Sequence, residues 1–316
     1  MELCRATLSR APFLPAAPPS LPVRDFRKRR VVCLSSGKSE STESPKDTQM
    51  VVSVTGATGF IGRRLVQKLL ADKHKVRVLT RSITKARFVF PGKKIKKEIM
   101  QSRINVTSKV VDLINHTNAE VRPSVLVSAT AIGYYGTSET QVFDETSPSG
   151  NDYLSEVCRE WETKAHNVDN GVRLVLIRIG VVLGKDGGAL AKMIPLFMMF
   201  AGGPLGTGNQ WFSWIHLDDL VNLICQSLTN PSYKGVINGT APNPVRLSEM
   251  CDQLGQVIGR PSWLPVPDFA IKAVLGEGAS IVLEGQRVLP AKAKELGFSY
   301  KYPYVKDALK AIVREL

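Results

Sequence analysis

The residues with the most specific chemistry are three glycines, Gly56, Gly59 and Gly62, set in the run Thr55-Gly56-Ala57-Thr58-Gly59-Phe60-Ile61-Gly62. A glycine at the first position permits a tight turn, and one at the second lets backbone N–H groups close on a diphosphate. One at the third lets the following helix approach the preceding strand. The backbone of Thr55, Thr58, Phe60 and Ile61 completes such a cradle, and Arg63, directly after Gly62, adds a cation. A second signal is expected about twenty residues on, where a carboxylate would bind the ribose 2′-hydroxyl of NAD. That stretch is Leu79-Thr80-Arg81-Ser82 and has no carboxylate. A guanidinium there can pair with a 2′-phosphate and stack on adenine, so Arg81 and Arg63 together predict an NADP(H) site. Each arginine also has the plainer reading of a solvated surface charge, which is the expectation for Arg64.

Such a turn holds a nucleotide only when a strand feeds it and a helix leaves it. Val51-Val52-Ser53-Val54 is a short apolar strand, and from Phe60 to Ala71 the residues Ile61, Leu65, Leu69 and Leu70 recur at helical spacing. Val76 to Thr80 follows as a second strand, so strand, turn, helix and strand form one βαβ unit with a parallel sheet. Further strands are expected at Ser124–Ser128, Val172–Ile179, Trp214-Ile215 and Val236–Asn238. Helices are expected over Ile95–Asn115, from Asp218 or Asp219, and over Lys306–Leu316. In the Ile95–Asn115 helix the apolar positions are Ile95, Ile99, Val106, Val110, Leu113 and Ile114. The fold class predicted is α/β, a Rossmann-type doubly wound parallel sheet at residues 50–260, with a small, mostly helical C-terminal domain at 261–316.

The formal net charge of +14 raises the possibility of a polyanionic partner. Its distribution argues against one. Part of the excess lies before residue 50, and nine basic residues stand against the single acidic Glu98 between Arg81 and Lys109. No basic stretch is interleaved with aromatics, so nucleic acid is not an expected partner. Cys158, Cys225 and Cys251 are scattered and the four histidines lack metal-ligand spacing, which points to a reducing compartment without structural zinc. The longest apolar run, Ala189 to Ala201, is interrupted by Lys192 and Pro195 and is too short to span a bilayer. Residues 1–49 are rich in Ser, Pro, Ala and Arg, almost free of acids before Glu40 and without hydrophobic period. They read as an organellar transit peptide with a polar lead-in, plastid before mitochondrion, with cleavage between Arg30 and Gln49; the alternative is an ordinary tail.

Several stretches together resemble a known family. They are Thr55–Gly62, Ser128–Gly136, Cys158–Glu162, Arg178–Gly184, Gly202–Gly206, Trp214–Asp219, Gly239–Pro242 and Gly285–Pro290. The chain resembles the epimerase-like branch of the extended short-chain dehydrogenases, and within it plant chloroplast homologues described as cell-division-inhibitor-like. The resemblance implies an NADP(H)-dependent oxidoreductase of the chloroplast, in the stroma or peripheral on the inner envelope. It also implies a link to plastid division, and hence an alternative as a non-catalytic NADP(H)-binding regulator with a division or inner-envelope partner. The substrate is expected to be a small molecule of unknown identity, admitted by the glycine-rich loop from Ala201 to Gln210.

Two departures from the family pattern matter. Short-chain dehydrogenases pair a tyrosine with a lysine four residues on, whose charge lowers the phenol pKa. Here Tyr153 is followed by Leu154, Ser155, Glu156 and Val157, and the Tyr302–Lys306 pair near the C-terminus reads as chance. Thr130, or Ser128, is left as the candidate hydroxyl, and Tyr134, or Tyr135, as the candidate phenol; Cys158 reads better as a buried helix thiol. His216 followed by Asp218 reads better as a strand end and helix cap than as a catalytic pair. The second departure is a loss. Only about forty residues join Arg81 to Pro123, where the family fold places a further strand, helix and strand, so an internal segment is missing near Lys94. Either a gap opens beside the first strand, or the flanking strands close into a smaller sheet.

Overall fold

β-branched residues dominate Val51–Thr55, and they form strand β1, paired in parallel with β2, Lys75–Leu79, in the register Val51 to Lys75. A computed structural model describes residues 49–57, 59–79, 92–265 and 284–316. Thr58, Arg81 and the N-terminal segment expected to be a transit peptide therefore lie outside the described residues. Helix α1, Phe60–Ala71, crosses between β1 and β2 and buries Leu69 against Val54 and Ala57. This is the βαβ unit that the sequence predicts.

A second parallel sheet follows, in the order β3 (Val125–Ala131), β5 (Arg173–Ile179), β9 (Gly235–Gly239). Short strands β4 (Val142–Phe143), β6 (Val181–Leu183), β7 (Trp211–Phe212), β8 (Trp214–His216), β10 (Val245–Arg246) and β11 (Arg287–Val288) fasten the loops around it. The remaining helices among the described residues are α2 (Gly92–Asn115), α3 (Tyr153–His166), α4 (Leu190–Met198), α5 (Leu217–Thr229), α6 (Leu247–Ile258), α7 (Ala291–Glu295) and α8 (Val305–Val313). Helix α2 covers the predicted interval, and Ile114 and Val110 face the core as expected, joined by Val111 in place of Leu113. Val111 and Ile114 are buried beside Val168 and Val172, whereas Leu113 is 58% exposed.

The flanking strands do not close up. Among the described residues β1 pairs only with β2, and β3 pairs only with β5, so the sheet is in two pieces. In the doubly wound order the first strand is flanked by the second and the fourth, so this break falls beside the first strand. One helical layer nonetheless spans both pieces. Ile61 and Leu65 of α1 join Val125 and Val127 of β3 in a cluster centred on Val175, Ile177, Leu220 and Leu223.

The C-terminal segment is woven into this body. Strand β11 pairs with β4, and α8 packs on α6 through Leu309, Ile312, Met250 and Leu254. The fully buried Asp219 accepts hydrogen bonds from the backbone N–H of Lys301 at 2.8 Å and of Tyr302 at 2.9 Å. No helix among the described residues is long and apolar enough to cross a membrane.

Candidate dinucleotide-binding site

Gly56 adopts φ +66°, a conformation that a side chain disfavours, and it turns the chain sharply at the end of β1. Gly62 is constrained by space instead. A Cβ there would lie 2.2 Å from the Gly56 carbonyl oxygen and 2.8 Å from the Ala57 Cα. The turn closes through Gly59 N–H donating to the Gly56 carbonyl at 2.9 Å, and Arg63 N–H to Gly59 at 2.9 Å. Gly59 is the N-cap of α1, with no side chain capping it. The first N–H groups of a helix have no partners within it, and together with the helix dipole they form a cradle for a diphosphate. The residues present therefore fit a dinucleotide.

Thr55 ends β1 with an exposed side chain, and Arg63 is likewise exposed. Phe60 contributes its backbone to the helix start, while its ring packs into the loop after β6. A Cβ at Gly184 or Gly187 would fall 2.8 or 2.7 Å from that ring. Ile61 turns inward to the core. Arg64 is exposed, as expected of a surface charge, and it pairs there with Asp218, Nε to Oδ1 at 2.7 Å. Asp218 in turn follows His216, which caps α5 by accepting the Asp218 N–H at 3.1 Å on Nδ1. His216 is buried against the Tyr302 ring at 4.1 Å, and desolvation lowers its pKa to about 4, so it is a neutral cap at ordinary pH.

The candidate reactive groups cluster at the C-terminal ends of β3 and β5. Thr130 is buried, and its hydroxyl donates to Glu162 Oε1 at 2.9 Å. Arg178 grips the same carboxylate with two bonds, Nε to Oε1 at 2.9 Å and Nη2 to Oε2 at 2.8 Å. Its remaining nitrogen donates to the Tyr135 hydroxyl at 3.0 Å, which donates to Asn238 Oδ1 at 2.7 Å. This is a polar network with charged ends cancelled: Arg178 is 3% exposed and Glu162 5%. Burial pushes the Tyr135 phenol up to about 12, and its hydroxyl is held between Arg178 and Asn238.

Tyr134 lies on the 3-10 turn Ile132–Tyr135, with the Arg178 guanidinium 3.3 Å from its ring centre. The turn is fixed by Gly150 N–H donating to the Tyr134 carbonyl and by Ser155 Oγ donating to Gly133. Its hydroxyl has no hydrogen bond among the described residues. Ser128 is buried. Cys158 is buried beneath this turn, and desolvation raises its thiol to about 11. Tyr302 sits against His216, and Lys306 lies on α8. Glu162, Arg178 and Asn238 were missed as functional residues in the sequence. Glu162 and Arg178 fall in motifs that carried the resemblance, but nothing in their spacing announces that a helix and a strand bring them together.

A parallel α/β sheet with a glycine turn at the mouth of its first helix defines a Rossmann-type dinucleotide-binding protein. Residues 52–93 and 91–238 match the NAD dependent epimerase/dehydratase family, and 266–312 match a domain of unknown function, DUF1731. The chloroplastic SDR39U1 homolog of Arabidopsis thaliana, an epimerase family protein, is 67% identical over 308 residues, covering 86% of this chain and 89% of its own. Human epimerase family protein SDR39U1, isoform 2, solved with NADPH, superposes with a TM-score of 0.79 at 32% identity, covering 85% of this chain and all of that one. The fold extends to UDP-N-acetylglucosamine 4-epimerase of Bacillus cereus, at TM-score 0.63, 16% identity and coverage of 84% and 98%. The chain belongs to the NAD dependent epimerase/dehydratase family. Its family match runs in two stretches that meet at 91–93, and the Arabidopsis alignment spans 308 positions against 86% of 316 residues. A stretch that the relative has is therefore missing here.

Proposed function

We propose that this chain is an NADP(H)-dependent oxidoreductase of the epimerase-like short-chain type, working in the chloroplast stroma. The observation that carries the reading is the Gly56–Gly62 turn, whose close approach leaves no room for a Cβ at Gly62 and presents the uncapped start of α1. The NADPH in the human relative and the chloroplastic name of the Arabidopsis relative support it. When bound, the cofactor would supply hydride chemistry at its nicotinamide. The backbone of Gly59 to Gly62 holds the diphosphate, and Arg63 and Arg81 select the 2′-phosphate over a bare ribose. Tyr134 offers its unpaired hydroxyl to a small-molecule substrate. Thr130 is a positioning residue, because its proton is committed to Glu162. Residues 1–49 direct the chain to the plastid and are removed. Calorimetry with NADPH and NADH tests the cofactor reading: a clear preference for NADPH is expected, and equal affinities would refute it.

A second reading is a non-catalytic NADP(H)-binding regulator of plastid division, peripheral on the inner envelope. The place of a lysine four residues after Tyr153 is taken by the buried Val157, and this favours it. Turnover of NADPH against a panel of small carbonyl compounds separates the two, since the regulator binds NADPH without consuming it.

A further inference from the structure

The break in the sheet leaves two strand edges without a strand partner among the described residues. Lys75 N–H donates to the Met50 carbonyl, so Met50 and, by alternation along the strand, Val52 and Val54 point their backbone groups toward β2. The backbone groups of Val51, Ser53 and Thr55 then point to the other edge, and these three residues are exposed. Likewise Arg173 N–H donates to the Ser124 carbonyl, which commits Leu126, Ser128 and Thr130 to β5. Val125, Val127 and Ala129 are left on the open edge of β3, where Ala129 is exposed although it lies mid-strand. Rows of unmet donors and acceptors are templates for another strand.

We propose that the cleft between β1 and β3 is a strand-acceptor site, which takes an extended apolar segment of a separate polypeptide. Three observations define the occupant. The family match breaks into two stretches meeting at 91–93, and the Arabidopsis relative carries a stretch with no counterpart in this chain. The pairings within both main sheets are all parallel, so the incoming strand runs parallel to its neighbours. The layer made by α1 and α5 continues across both sheets through Ile61, Leu65, Leu220 and Leu223, so one face of the incoming strand meets apolar side chains. The partner is therefore a β-branched or aliphatic strand offered in trans, equivalent to the segment that relatives carry in cis.

The test uses a fluorescein-labelled peptide copying the stretch of the Arabidopsis relative that has no counterpart in this chain. Saturable binding by anisotropy is expected, with slowed amide exchange at Val51, Ser53, Thr55, Val125, Val127 and Ala129. N-methylation of alternate peptide amides removes donors without touching the protein, and should weaken binding by about tenfold or more. Several results would overturn the proposal. They are no saturation up to about 1 mM, equal binding of a scrambled or N-methylated peptide, or protection elsewhere in the molecule. Slow exchange at those six positions before any peptide is added would do the same, because it would show that the chain fills the cleft itself. No readout requires NADPH, so failure here leaves the cofactor reading standing, and failure of NADPH binding leaves this one standing.

Discussion

Gly62 is where residue identity limits the site most tightly. Gly62→Ala places a methyl group 2.2 Å from the Gly56 carbonyl, so the turn must open and the helix start must move off the diphosphate. NADPH affinity should fall by about a hundredfold or more, equivalent to roughly 3 kcal/mol, as read by calorimetry. Arg81→Asp should reverse or abolish the preference for NADPH, since a charge pair with the 2′-phosphate is worth roughly 1.5–3 kcal/mol. Glu162→Leu leaves the Arg178 guanidinium buried without its carboxylate and should cost about 3–5 kcal/mol in urea unfolding. The double variant Glu162→Leu/Arg178→Met should lose much less. The glycine turn was legible in the sequence because backbone reach and helix approach demand one residue type. The Glu162–Arg178 pair was not, because charged residues sixteen apart are usually solvated and only the packing of α3 on β5 buries them.

At the scale of elements, the βαβ unit was legible because period-two and helical apolar spacing meet at a glycine turn. Helix α6 is equally written, with Leu247, Met250, Cys251 and Leu254 at helical intervals, but the loop-rich stretch around it masks the pattern. Helix α4 was hidden by Pro195, which removes one internal hydrogen bond; burying Leu190, Ile194 and Phe197 outweighs that loss. The start of α5 yields a pH prediction. His216, facing Asp218, Lys301, Glu315 and Arg64, holds a pKa of about 4 against 6.5 in an unfolded chain. Between those values the unfolded chain binds a proton that the folded one refuses, so stability falls as pH drops through this window and is unaffected above it. The loss is at most about 3 kcal/mol. His216→Asn keeps a capping acceptor, and its thermal melts should show a shallower decline from pH 6.5 to 4 than the parent.

For the whole molecule, the divided sheet sets the margin. A missing central strand removes ladder hydrogen bonds and buried apolar area, at roughly 1.5–3 kcal/mol per buried side chain, against a total stability of about 5–15 kcal/mol. Restoring the family segment to residues 50–316 should raise the melting temperature and enlarge its shift with NADPH. Equal melts with and without the segment would show that the break costs nothing. The loss was visible in the sequence as a join too short for the strands it replaces; how the remaining strands respond was not, since that depends on the helical layer holding both pieces in place. The helices α3, α5 and α6 also have a chemical side. The thiols of Cys158, Cys225 and Cys251 are all free, and desolvation raises them to about 11, 11 and 12. At a mildly alkaline pH fewer than about one in a hundred would be thiolate, the only form that oxidants and disulfide exchange attack. These three thiols, the cysteines among the described residues, therefore offer oxidants and disulfide exchange very little thiolate to react with.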